Sequence, residues 1–141
     1  MGDRESTGPP DRQTLRLLER HLSRDARIET TRFDPDTYEP RLLRAHFDAA
    51  RWPTGVEVVR LDVRWFETRD FSFHYLESGA NEWECRWDRH PNDHNTRVHF
   101  HPPPGVGDAV DLALSSLHPL DVLSTVRTAI TQRLDDHWTT D

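Results

Sequence analysis

The residues able to do chemistry crowd into one stretch, Trp83–Pro104, which reads W-E-C-R-W-D-R-H-P-N-D-H-N-T-R-V-H-F-H-P-P-P. It holds four of the nine histidines, three arginines and two of the five tryptophans. Apolar and polar residues alternate on both sides of a short polar turn. A core segment would be apolar throughout, and a plain loop would lack the tryptophans and the alternation. The pattern predicts a β-hairpin with one buried face and one Arg/His/Asp face, joined by a histidine-bearing loop over Arg89–Asn95.

Two chemistries suit such a face. The first is metal-free cleavage of RNA. Two imidazoles can exchange the roles of general base and acid at the 2′-hydroxyl and the leaving oxygen. A guanidinium can meet the charge that builds on the phosphoryl oxygens. His74, His99 and His101 supply the pair, and Asp88 can orient a ring. Arg64, Arg86 and Arg97 supply the clamp, and His90 and His94 add contacts to substrate. The second chemistry is a metal site, since His90, His94, His99 and His101 run as H-x3-H-x4-H-x-H and Asp88 or Asp93 can complete a set. Pro91 denies His90 and His94 a helical i,i+4 pairing, so neither a metal nor another cofactor is expected. For any single Arg or Asp here the plain reading is a solvated sheet face, where ion pairs contribute little. Three histidines of like parity are harder to explain by solvation alone.

Strand parity must do the positioning. Asp11 is a good N-cap for a helix over Arg12–Ser23, with Leu15, Leu18 and Leu22 at helical spacing. Ala26–Phe33 reads as a short strand with Ile28 and Thr30 facing one way, ended by the turn signal Asp34-Pro35-Asp36. Arg41–Asp48 is a second strand and Val56–Glu67 a third, with Val59, Leu61, Val63 and Trp65 on one face and Arg60, Asp62 and Arg64 on the other. After a turn at Thr68–Asp70, Phe71, Phe73 and Tyr75 face inward against Ser72, His74 and Leu76. A second turn is expected at Glu77–Ala80. Trp83, Cys85 and Trp87 then face inward, as do Val98 and Phe100. This makes Cys85 a buried, inert thiol and the two tryptophans core residues. Pro102–Gly105 should end the meander, because proline cannot extend a ladder. Pro119 opens a last helix to about His137, striped by Leu120, Leu123, Val126, Ile130 and Leu134. The expected fold is α+β, an antiparallel β-meander sheet with one face covered by N- and C-terminal helices. Residues 1–10 are expected to be a flexible tail and residues 11–141 one domain.

Composition narrows the setting. The formal net charge is −7, and all 18 basic residues are arginine. Short carboxylates in excess keep proteins soluble in concentrated salt, and a halophilic source is expected, although codon bias also favours arginine. In molar salt the Debye length is about 3 Å, so any RNA contact must rest on short-range hydrogen bonds. There is no apolar run long enough to cross a membrane and no apolar leader. One cysteine excludes a disulfide framework. A cytoplasmic protein is expected.

The run Arg86-Trp87-Asp88, then His90-Pro91, then the cluster ending at His99 and His101 resembles the TumE family of toxins from type II toxin–antitoxin pairs. The aromatic strands Val63–Phe66 and Phe71–Tyr75 and the closing helix Pro119–Leu134 fit it too. The likeness covers about Val56–Leu134 and is nearest to a haloarchaeal branch. It implies a growth-inhibiting toxin that acts on RNA and is neutralised by a DNA-binding antitoxin of winged-helix type. It carries no catalytic residues over. The competing readings are a non-catalytic module that binds a partner through the Arg/Asp/His face, and a small His-metal protein. A catalytic site calls for converged histidines in a concavity; a binding module calls for a flat face with exposed aromatics.

Overall fold

A computed structural model of the chain describes residues 8–89, 98–102, 110–112, 114 and 116–139. Helix α1 (Arg12–Leu22) leads into strands β1 (Ile28–Asp34) and β2 (Leu42–Phe47). Strands β3 (Val56–Trp65), β4 (Phe71–Gly79), β5 (Trp83–Arg89), β6 (Val98–His101) and β7 (Val110–Leu112) follow, and helix α2 (Pro119–Thr139) closes the chain. The strands form one antiparallel sheet in chain order, β1 to β7. This is the α+β meander expected from the sequence.

Local chemistry explains the ends of the elements. Asp11 caps α1 by accepting from the Thr14 amide at 3.0 Å and from its hydroxyl at 2.8 Å, a cap of the kind that contributes about 1 kcal/mol. Leu15, Leu18 and Leu22 are fully buried along one stripe. Pro9 and Pro10 pair with Glu67 and Phe66 beyond the end of β3. At the far end of the β3–β4 hairpin, a side-chain carbon on Gly79 would stand 2.1 Å from the Gly55 carbonyl oxygen. Only glycine permits that approach.

The two faces of the sheet differ as parity requires. Leu43, Val63, Phe73 and Trp87 form one buried cross-strand row, and Ala45, Leu61, Tyr75 and Cys85 the next. Burying each large apolar side chain of this kind contributes about 1.5–3 kcal/mol. Trp65 stacks on Phe71 with centroids 4.7 Å apart. The helices cover this face, with Val122, Leu123, Val126 and Ile130 of α2 in the same core. Phe100 and Trp83 are only partly buried, at the edge of the helical cover.

Three expectations need correction. A register shift between Ile28 and Thr30 pairs Ile28 with Phe47 and Thr30 with His46, so the bulge sends these two side chains to opposite faces. Glu77 is not in a turn: β4 runs on to Gly79 and turns Glu77 into the apolar face, where it is 3 % exposed. The meander does not end at Pro102–Gly105, because the chain returns as β7 and pairs with β6. Trp52, in the connection before β3, is buried and donates its indole N–H to the Tyr75 hydroxyl at 3.1 Å.

Candidate functional site

The polar face is a ruled surface. One row crosses six strands as Arg32, Arg44, Asp62, His74, Arg86 and His101. The next row runs Arg64, Ser72, Asp88, His99 and Asp111. On the other side Thr30, His46, Arg60, Leu76 and Glu84 are in register. Strand pairing alone thus brings Arg64, His74, Arg86, Asp88, His99 and His101 onto one face. Arg97, His90 and His94 lie outside the described residues.

Each of the three histidines meets its own carboxylate. His74 Nε2 is 2.6 Å from Glu84 Oε1, His99 Nε2 is 3.2 Å from Asp111, and His101 Nε2 is 3.2 Å from Asp88 Oδ2, at ion-pair distance but not aligned as a hydrogen bond. Asp88 also accepts from Arg86 Nε at 2.9 Å. With only 4 % exposure, Asp88 is a sunken carboxylate flanked by an imidazole and a guanidinium. The Arg86 side chain itself is 39 % exposed, so its outer edge faces solvent. The histidines do not converge as a trio. His74 and His101 are separated by Arg86 and stand two strand spacings apart, about 10 Å. His99 and His101 are closer, at alternate positions of one strand, about 7 Å between Cα atoms.

Two concavities lie off this face. One of about 440 Å³ sits between α1, the turn before β1 and α2, lined by His21, Arg27 and Arg127 among others. There Asp25 binds both Arg27 and Arg127, at 2.9 and 3.2 Å. Another, about 270 Å³, opens on the apolar side beside Trp83, Trp87, Phe100 and Arg133. Burial pushes the Cys85 thiol on its wall up to about 12, which keeps the sulfur protonated and unreactive. Among the described residues, no three His, Cys, Asp or Glu side chains come together as a metal cage, and no helix is long and apolar enough to cross a membrane.

Sequence reasoning missed two polar groupings. His46 shares the polar face with Arg44 and Arg60. Burial and the charges of Arg44, Arg60 and Arg32 hold its ring below the ordinary imidazole range, against a pull from Asp62. Its parity in β2 was readable from the alternation Leu43, Ala45, Phe47. Glu77 gathers Tyr75, Arg133 and His137 around it on the apolar face, and no pattern in the sequence joins those four.

With this geometry in hand, comparison with known proteins gives one match. The family model described as toxin TumE aligns with residues 12–134, most of the chain and both helices. No curated protein and no solved structure matches.

Proposed function

The chain belongs to the TumE toxin family, and from that membership we propose that it is an RNA-cleaving toxin whose site is the polar face of the sheet. A toxin of a toxin–antitoxin pair has an antitoxin partner; a DNA-binding protein of winged-helix type is the form proposed for it. The system is proposed to be of type II and haloarchaeal, with the toxin acting in the cytoplasm.

The observation that carries the reading is Asp88, sunk between His101 and Arg86 with His99 opposite it in register. A buried carboxylate at ion-pair distance can draw an imidazole into one orientation by its charge. His99 and His101 are then the acid–base pair, and Arg86 meets a phosphoryl oxygen with a fork that fits it. Arg64 and His74 flank the reacting position, on the β3 and β4 side. Arg97, His90 and His94 are proposed as further substrate contacts. No step in this scheme calls for a metal.

A face crossed by long cross-strand rows of Arg and His suits a polymer that lies across it better than a small molecule. The same extent favours the second reading, a surface for a protein partner. Controlled expression without antitoxin separates the two. The wild type should arrest growth with fragmented RNA, and the His99→Ala/His101→Ala variant should restore growth while still accumulating as folded protein. Full toxicity of that double variant would move the face from catalysis to partner binding.

A further inference from the structure

At the β1–β3 end of the polar face, away from Asp88, Arg32 and Arg44 are paired in register and His46 lies opposite Arg60. Arg44 and Arg60 share one carboxylate, with Arg44 Nε 2.8 Å and Arg60 Nε 3.4 Å from Asp62. Asp34 acts on Arg44 only through space. Arg32 is exposed and makes no ion pair with a described residue. Three guanidiniums thus face one directly bound carboxylate, on a protein whose formal net charge is −7. A face that served only solubility would follow the acidic balance of the whole. The His46 ring is depressed first by its burial and then by the charges of the same three arginines, against Asp62.

We infer that Arg32, Arg44 and Arg60 form a phosphate-binding patch that holds the backbone of single-stranded RNA leading away from the His99/His101 end. This rests on the reading of the face as an RNA site. One feature favours RNA over an acidic protein. The patch continues the straight row Arg32, Arg44, Asp62, His74, Arg86, His101, a track five strand spacings long, about 24 Å. Guanidinium forks along a track suit repeated phosphates. The aromatic side chains of the strands, Trp65, Phe71, Phe73, Tyr75 and Trp87, point to the opposite, buried face. With no aromatic of the described strands on the polar face, contacts by the arginines alone grip the backbone and are indifferent to base identity; exposed Tyr38 lies in the β1–β2 connection, off the strands.

The test is fluorescence anisotropy with a labelled oligouridylate on the order of 12 nucleotides long, titrated over the range of KCl in which circular dichroism shows the chain folded. The variant is Arg32→Gln/Arg60→Gln, which leaves the Arg44–Asp62 pair in place. Arg32→Gln alone, at an exposed position, serves if the double variant does not fold. Each lost phosphate contact should flatten the slope of log K against log salt by about 0.7 for a single strand. An oligoadenylate of equal length should give the same slope. Unchanged affinity and slope in the folded variants would overturn the patch, as would failure of the wild type to bind. Equal competition by polyglutamate would also overturn it, in favour of an acidic protein. The oligonucleotides carry 2′-O-methyl riboses, which lack the hydroxyl that cleavage needs, so binding is read without turnover; a wild type that binds them but leaves unmodified RNA intact would count against catalysis and leave the patch standing.

Discussion

Arg133 of α2 grips Glu77 of β4 through two hydrogen bonds of 2.8 and 3.0 Å, on the face of the sheet that is otherwise apolar. The guanidinium also lies over the Trp83 ring at 3.8 Å. Tyr75 donates its hydroxyl to the same carboxylate at 2.6 Å, and His137 Nε2 stands 3.0 Å from it. One buried acid therefore ties the last turns of α2 to the centre of the sheet.

Breaking that tie should be costly. Arg133→Met leaves Glu77 charged and without its strongest partner, and removing one member of a buried pair destabilises by about 3–5 kcal/mol. Urea denaturation of Arg133→Met should show such a loss. The Glu77→Leu/Arg133→Met double variant should recover much of it, because no buried charge is then left alone. A double variant as weak as the single one would mean that the helix needs the ion pair itself.

Acid should unfold the chain in two stages. The His46 ring is held neutral below its ordinary value of 6.5, so the unfolded state takes up the proton first as pH falls. Stability should therefore begin to drop below about pH 6.5. Burial alone would raise Glu77, yet hydrogen bonds from Arg133, Tyr75 and His137 outweigh it and hold the carboxyl below 4.5. Burial opposes the Arg27 contacts at Asp25 in the same way, with the same net lowering. The contribution of these acids is present above their unfolded values and is lost as pH falls through the folded ones. Thermal unfolding against pH should show both stages, and His46→Gln should remove only the first.

Glu77 also marks where the sequence stops being readable. Alternation in β3, β4 and β5 is strong, because Val63, Phe73 and Trp87 recur at every second place against Arg64, His74 and Asp88. That is enough to assign the faces and most of the proposed site. Glu77 breaks the binary pattern, and Gly79 two residues on imitates a turn; Tyr75 and the distant Arg133 and His137 make its burial tolerable. The β1 bulge and the three-residue β7 leave no period long enough to detect. Pairing of each histidine with its own carboxylate depends on cross-strand register, which fixes Asp111 opposite His99 and cannot be read from either strand alone.

Salt should stabilise the fold. An excess of carboxylates repels itself when screening is poor, and screening shortens the range from about 10 Å at 0.1 M to about 3 Å at 1 M. The melting temperature should climb as KCl rises toward molar concentrations. A flat or falling trend would leave codon bias as the account of an arginine-only basic set.

Asp88 supplies the sharpest test of the proposed site. Its contact with His101 makes it a positioning residue, with no substrate contact of its own. Losing a general acid or base costs about 100- to 10,000-fold in rate, so His101→Ala should cut RNA cleavage by that order. Asp88→Asn keeps the shape and removes the charge that holds the ring, so it should also lower kcat, with little change in KM. Two residues that act through one imidazole cannot lose their effects twice. The Asp88→Asn/His101→Ala variant should therefore be about as slow as His101→Ala alone, with folding followed by circular dichroism. If the two losses multiply, Asp88 works independently of His101, and the assignment of that ring as the oriented acid or base is wrong.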